Sequence, residues 1–368
     1  MKTRVTALLS TLLAASLALS GCGGGREATT TTETTAGTTA SAEGFASDAT
    51  IGVALPWLGT QNWKEAEVMF TEQLTEAGYQ PLVQAADNKV PQQQQQIEAM
   101  IEQGAKAIVV GAVDGTQLGS VLETAKGAGV TIIAYDRLIE NTDAVDGVVQ
   151  FGSLRTGQLQ GQSLLDGLAE RKGDGPYTIE LFGGGPADAN APNFFTGAME
   201  VLQPKIDDGT LVVVSGQTEF TQVATPDWDN AKAQARMDSL LSGFYSGTPI
   251  DGVLSPNDGI GRAILTSAKQ AGQELPVVTG LDAENESIVS IAAGEQYSTV
   301  AKPTQDLVAK TIELIDAAQQ GEELPAPDET VDNGATEVGI YQLDPIVVTL
   351  DNAREVFADD PDRLQYLS

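Results

Sequence analysis

Histidine is absent from this chain of 368 residues. Its absence removes the Ser-His-Asp and Cys-His forms of nucleophilic catalysis, and with them the commonest side-chain ligand of transition metals. Cysteine occurs once, at Cys22, so no disulfide can form within the chain and the fold must rest on its core. Basic residues are few: 20 Lys and Arg stand against 51 Asp and Glu, a formal charge of −31. No basic stripe is available to neutralise phosphates, which argues against nucleic acid as a partner. The acidity reads instead as a solvated, salt-tolerant exterior. There is no G-x-x-x-x-G-K-[ST] loop, and Gly183-Gly184-Gly185 alone is too weak a signal for a phosphate cradle. Past the first 21 residues no apolar run is long enough to span a bilayer. With 51 acids, some carboxylate pair at glycosidase spacing is inevitable, so proximity of acids carries no evidence for a paired-acid hydrolase.

The first 21 residues form an export pattern: Lys2 and Arg4, an apolar run from Val5 to Leu19, then Leu19-Ser20-Gly21-Cys22. A plain secretory signal has no need of cysteine at the first mature position. A lipoprotein signal does, because that thiol receives the diacylglyceryl anchor, so lipidation is expected at Cys22. The Thr-, Gly- and Ala-rich segment 22–49 has too few large apolar side chains to offset the entropy of ordering, and reads as a flexible, disordered tether.

From Thr50 onward short β-branched runs alternate with longer amphipathic ones. The expected strands are Ile51–Leu55, Pro81–Ala85, Ala107–Gly111, Thr131–Tyr135, Gly147–Phe151, Thr178–Phe182, Leu211–Ser215, Gly252–Leu254, Val277–Thr279 and Ser298–Ala301. Helical patterns such as Trp63–Ala77, Leu154–Arg171 and Ile260–Ala271 lie between them. This alternation predicts an α/β fold of parallel sheets covered on both faces. Several strands end in polar turns: Tyr135-Asp136-Arg137, Phe182-Gly183-Gly184-Gly185, Ser255-Pro256-Asn257-Asp258 and Gly280-Leu281-Asp282. In open α/β sheets, ligands bind outside the carboxyl ends of the strands. Helix capping accounts for some of these residues individually but not for their recurrence at strand ends.

Such a set suits a neutral, hydroxyl-rich ring. Each hydroxyl both donates and accepts, so a carboxylate on one side and Arg, Lys or Asn on the other satisfy it. The C–H faces of the ring call for a flat aromatic surface. Of Trp57, Trp63 and Trp228, the last is flanked by two acids, Asp227 and Asp229, and is the hardest to bury.

The segments Ile133-Ala134-Tyr135-Asp136-Arg137-Leu138-Ile139, Ile179-Glu180-Leu181-Phe182-Gly183-Gly184, Trp228-Asp229, Ala233-Gln234-Ala235-Arg236-Met237-Asp238 and Ala293-Gly294-Glu295-Gln296-Tyr297-Ser298-Thr299, taken in order, resemble the periplasmic type I sugar-binding proteins of ABC importers, specifically the xylose-binding and multiple-monosaccharide-binding group. The resemblance implies two doubly wound parallel-sheet lobes joined by a three-crossover hinge, with residues 50–153 plus 303–325 in the first lobe and 154–302 plus 326–368 in the second. It implies ligand roles for Trp63, Asp136, Arg137, Asn190, Trp228, Asn257, Asp282 and Lys302. One departure stands out: relatives commonly carry arginine before the first-lobe tryptophan, and this chain has Asn62, leaving Asn62 or Lys64 to meet the ligand there. The function implied is capture of an aldopentose or aldohexose and delivery to an importer permease, by a monomer with no cofactor, metal or catalytic residue. The implied location is the outer face of the cytoplasmic membrane or a periplasm, and a chemotaxis or sensor receptor is a further possible reader of the closed form. The alternatives are the same fold holding a furanose, another polyol or a signalling ligand; a secreted glycosidase; and a transcription regulator, which lacks the helix-turn-helix and basic patch it would need.

Overall fold

The computed structural model describes residues 44–367, so the export signal, Cys22 and the tether as far as residue 43 lie outside the described residues. All ten expected strands form, as β1 (Thr50–Leu55), β2 (Gln80–Ala85), β3 (Ala107–Val110), β4 (Thr131–Tyr135), β5 (Gly147–Phe151), β6 (Tyr177–Leu181), β7 (Leu211–Val213), β8 (Gly252–Leu254), β9 (Val277–Val278) and β10 (Ser298–Ala301). Three more follow: β11 (Glu329–Asp332), β12 (Glu337–Leu343) and β13 (Ile346–Thr349). The helices, in chain order, are α1 (Gln61–Glu76), α2 (Val90–Glu102), α3 (Gly119–Gly127), α4 (Ser153–Lys172), α5 (Asn190–Asp207), α6 (Phe220–Val223), α7 (Asn230–Phe244), α8 (Asp258–Gln270), α9 (Asn285–Ala292), α10 (Thr304–Gln319), α11 (Ala353–Val356) and α12 (Pro361–Leu364).

The first lobe is built on a seven-stranded sheet in the order β11-β12-β5-β4-β3-β1-β2, parallel except for the β11–β12 pair. Alternation along each strand sends side chains to opposite faces. Ile51, Val53, Val109 and Ile133 thus pack with Phe70 and Leu74 of α1 and Leu307 and Ile315 of α10, while Ile108, Val110 and Ile132 meet Ile97 and Met100 of α2 and Leu122 of α3. The second lobe repeats the plan on a parallel sheet, β7-β6-β8-β9. Ile179 and Leu181 face Leu164, Leu168 and Leu202, and on the other side Val253 meets Met237, Leu240 and Ile264. Strand order reverses between β1 and β3 in one sheet and between β6 and β8 in the other, which opens a crevice at each carboxyl edge.

Three expectations are corrected. Residues 326–368 do not fall wholly in the second lobe: β12 pairs in parallel with β5, Ile340 opposite Val148, and buries Val338, Ile340 and Tyr341 at the edge of the first sheet. The chain therefore crosses between lobes near Gly152, Lys302 and Asp344. Ser298–Ala301 is not a further parallel strand: β10 forms an antiparallel ribbon with β13, tied to the second sheet through Val300 N–H to Gly280 O and Asp282 N–H to Val300 O. Finally, the disordered tether does not extend to residue 49. Phe45 N–H donates to Gln319 O at 3.0 Å, Gln319 Nε2 returns a bond to Phe45 O at 2.7 Å, and the Phe45 ring packs on Tyr79. A single large apolar side chain with a hydrogen-bonded backbone is enough to dock this short stretch.

Candidate functional site

Each turn that builds the site leaves the carboxyl end of a strand. Trp57, Thr60, Asn62 and Trp63 follow β1; Asp136 and Arg137 follow β4; Asp188, Asn190 and Phe194 come after β6; Asn257 follows β8, Leu281 and Asp282 follow β9, and Lys302 follows β10. With Trp228 from the 3-10 turn Pro226–Trp228, these residues line one narrow cavity between the lobes, with room of about 30 Å³ for the centres of water-sized spheres. All nine residues expected from the sequence line it. Lys64 is exposed and does not.

Three of the lining residues have left-handed backbone: Asp136 (φ 62°), Trp228 (φ 55°) and Asp282 (φ 88°). For tryptophan this conformation is strained, and strain of this kind collects where surrounding structure holds a functional side chain in place. The Asp136 backbone is clamped from both sides, its N–H donating to Val149 O at 2.8 Å and its carbonyl accepting from Asn190 Nδ2 at 2.6 Å.

Charges are paired tightly. Arg137 Nη1 donates to Ala112 O at 2.8 Å, its Nε lies 3.0 Å from Asp188 Oδ2, and its guanidinium sits 5.3 Å from the Trp63 ring centroid. Trp63 is itself buried against Tyr135, so it serves the core and the cavity wall together. Lys302 Nζ lies 3.1 Å from Asp136 Oδ1 and 3.5 Å from Asp282 Oδ1, with the Phe194 ring 5.7 Å away. Burial alone would pull the Lys302 ammonium down, but Asp136 and Asp282 together hold it above the ordinary lysine value. Burial pushes the Asp282 carboxyl up to about 6; Lys302 opposes this, while Asp136 and Glu284 add to it.

The amides are oriented by neighbours. Thr60 Oγ1 donates to Asn62 Oδ1 at 2.5 Å, and Ile260 N–H donates to Asn257 Oδ1 at 2.9 Å. Both residues are left with Nδ2 as a free donor toward the cavity. Asn257 is thus a helix cap through its oxygen and a cavity donor through its nitrogen. Among the described residues seven buried side-chain polar atoms lack a hydrogen bond, and three belong to this cavity: Arg137 Nε and Asp282 Oδ1, which have only their ionic neighbours Asp188 and Lys302, and Trp228 Nε1, which has none. Native proteins leave few buried donors unmet, and an indole N–H of this kind marks a place where a polar ligand completes the bonding.

Sequence reasoning missed Asp188, Trp57, Thr60, Phe194 and Leu281 as wall residues. Asp188 had a signal, two positions before Asn190 in Ala187-Asp188-Ala189-Asn190. Thr60 had none, since it acts by orienting Asn62. The lobes also touch at the rim: Gln61 N–H donates to Glu284 Oε1 at 3.2 Å and Asn285 N–H to Gln61 Oε1 at 2.7 Å.

Behind the rim, Asp258 accepts from Glu284 N–H at 2.8 Å and from Gln296 Nε2 at 2.9 Å. Burial first, then repulsion from Glu284, push its carboxyl up to about 7. The folded protein therefore binds more protons than the unfolded chain between the ordinary aspartate value of about 3.9 and about 7. Stability should fall as pH rises through that window. Melting temperature is accordingly expected to climb from pH 8 to pH 5, and Asp258→Asn, neutral throughout, to flatten the climb. The net charge of −31 contributes in both proteins by self-repulsion, so the difference between them isolates Asp258. Identical slopes would remove Asp258 from the effect.

Known proteins share this architecture. The multiple sugar-binding periplasmic receptor ChvE of Rhizobium radiobacter is 44% identical over 325 residues, 86% of this chain and 92% of that receptor. The D-xylose-binding periplasmic protein of Escherichia coli is 32% identical over 316 residues, 86% of this chain and 91% of that protein. A solute-binding protein of an ABC transporter from Clostridium phytofermentans, solved with bound β-D-glucose, superposes with a TM-score of 0.81 at 36% identity, covering 86% of this chain and 99% of that one. The sequence profile of the periplasmic binding protein domain matches residues 51–323, which span β1 to β10 and every residue lining the cavity, and the chain belongs to that family of binding proteins.

Proposed function

We propose that this chain is a lipid-anchored receptor that captures a monosaccharide, an aldopentose or aldohexose, between its lobes and delivers it to an ABC importer permease. The observation that carries the reading is a single cavity whose wall sets buried charged groups, Arg137, Asp136, Asp282 and Lys302, and the unpartnered Trp228 Nε1 beside the rings of Trp63, Trp228 and Phe194. Sugar hydroxyls complete such bonds and sugar C–H faces cover such rings. Asp136 and Arg137 come from one lobe and Asn190, Trp228, Asn257 and Asp282 from the other, so a ligand touching both sets favours the closed arrangement over an open one. Cys22, at the end of the export pattern, supplies the anchor and the Thr-rich segment the tether, which keeps a monomeric receptor near its permease and within reach of any sensor that reads the closed form.

The test is a thermal-shift panel of D-xylose, D-glucose, D-galactose and L-arabinose on purified protein freed of co-purifying sugar. A sugar present at a hundred times its Kd stabilises by about 2.7 kcal/mol, which is readily seen as a rise in melting temperature. No shift with any monosaccharide at millimolar concentration overturns the sugar reading. Metabolic labelling with a fatty acid tests the anchor: label lost in Cys22→Ser supports it, and label retained excludes it.

A further inference from the structure

Gly183-Gly184-Gly185 is no phosphate cradle, and the structure gives part of it another use. A carbon added at the Cβ position of Gly184 would stand 2.1 Å from Trp228 Cη2, 2.4 Å from Cζ2 and 2.6 Å from Cζ3. Three consecutive ring atoms at such similar distances put that carbon over the face of the six-membered ring, since at an edge the outer two would be much farther. The same construction at Gly185 meets Trp228 Cδ1 at 2.9 Å and Nε1 at 3.0 Å, beside the five-membered ring. The backbone of Gly184 therefore lies against a face of the indole at its six-membered ring, with Gly185 close to the five-membered one. Neither glycine is in the left-handed region, so their lack of a side chain answers to the indole and not to the backbone. Trp228, meanwhile, is held at φ 55° after Asp227 at φ 63°, and lines the cavity with its remaining surface. Neither glycine lines the cavity.

We infer that Gly184 and Gly185 are positioning residues: they form a floor beneath Trp228 that sets how far the indole projects into the cleft, and so the thickness of the slot left for a sugar ring. The inference rests on the sugar reading of the site. With alanine at 184, ordinary carbon–carbon contact of about 3.5–4.0 Å returns only if the ring withdraws by on the order of 1.5 Å. The floor is backbone, so the ring moves toward the cleft. In a site that fits its ligand closely, a shift of that size narrows the slot by a large part of an atomic diameter.

The experiment titrates wild type, Gly184→Ala, Gly185→Ala, Trp228→Phe and the double variant Gly184→Ala/Trp228→Phe by calorimetry with the monosaccharide that wild type binds best. Gly184→Ala is expected to weaken binding at least tenfold, and Gly185→Ala, whose clash is milder, by less. In the Trp228→Phe background, where the shorter ring does not reach over residue 184, the same Gly184→Ala change is expected to alter affinity by no more than about twofold. A purely structural role for Gly184 would give the same loss in both backgrounds, and that result overturns the inference, as does wild-type affinity in Gly184→Ala. Should Gly184→Ala not fold, the comparison of Gly185→Ala with Gly185→Ala/Trp228→Ala, each against its own parent, decides in the same way, because alanine removes the ring atoms that meet residue 185. Absence of monosaccharide binding in wild type itself would instead sink the sugar reading, a separate and visible failure.

Discussion

Arg137→Ala is expected to abolish detectable monosaccharide binding in a calorimetric titration at millimolar sugar. The guanidinium is held from both lobes: Ala112 O holds Nη1 and Trp63 lies 5.3 Å away on its own side, and Asp188 pairs with Nε from the other. A donor held this way spends little entropy on binding, which is what makes a pre-organised site effective. Truncating it removes the N–H groups that the proposed reading turns toward a sugar and strands Asp188, whose side chain is 7% exposed. Removing one partner of a buried charged pair costs about 2–5 kcal/mol, roughly a 30- to several-thousand-fold loss of affinity. Arg137→Lys separates the contributions. It keeps the charge beside Asp188 but loses the planar fork, and it should bind more weakly than wild type yet better than alanine. Asp282→Ala, which removes an acceptor on the opposite wall, should be comparably severe. Unchanged affinity in both Arg137→Ala and Asp282→Ala would show that these residues do not hold the ligand.

How much of this was legible follows from what each residue answers to. The ten strands up to Ala301 are β-branched runs bounded by turn residues, and a local pattern is enough to find them. Of the last three, β13, Ile346-Val347-Val348-Thr349, is such a run that the sequence reading passed over, whereas the other two are not marked in that way. β11 and β12 carry Glu329, Asp332 and Glu337 on exposed positions and Gly339 in mid-strand, so they read as an acidic loop. β12 pairs locally with β11, but what joins it to the sheet is β5, with Ile340 opposite Val148 far earlier in the chain, and no local signal reports a partner so distant. The site divides in the same manner. Asp136, Arg137, Asn257 and Asp282 stand at strand ends, where the fold class alone gives them meaning. Trp63 was readable as a core residue or as a wall residue, and the structure makes it both. The roles of Thr60 and Ser153 are invisible in sequence, because each acts by fixing which atom an asparagine presents: Thr60 donates to Asn62 Oδ1 and Ser153 Oγ to Asn190 Oδ1 at 2.7 Å. The Asn62 departure from the arginine common in relatives gains a physical form here, a neutral donor held by its own neighbour where a longer charged side chain would otherwise reach in.

Lys302→Met is expected to destabilise the protein strongly at pH 8 and far less at pH 5. Lys302 sits at the second crossover between lobes, with its side chain 8% exposed, and it is ion-paired with an aspartate from each side: Asp136 after β4 and Asp282 after β9. Methionine fills much the same volume without the charge. Two buried carboxylates then face each other with no counter-ion, and breaking a buried pair in this way costs about 3–5 kcal/mol. The pH dependence follows from Asp282. Its carboxyl already stands at about 6, and the attraction of Lys302 is what restrains it from rising further. In the variant the folded value lies above about 6 and the unfolded value stays near 3.9, so the folded form takes up protons first as pH falls. Protonation neutralises the repulsion and returns stability between pH 8 and pH 5. The lysine itself contributes nothing to the slope there, because its ammonium is held above the ordinary lysine value and remains charged across the whole range. Melting curves of both proteins at the two pH values give the answer as a difference of differences: a gap that narrows toward pH 5 identifies Lys302 as the counter-ion of Asp282, and a gap of equal size at both pH values assigns it to packing alone.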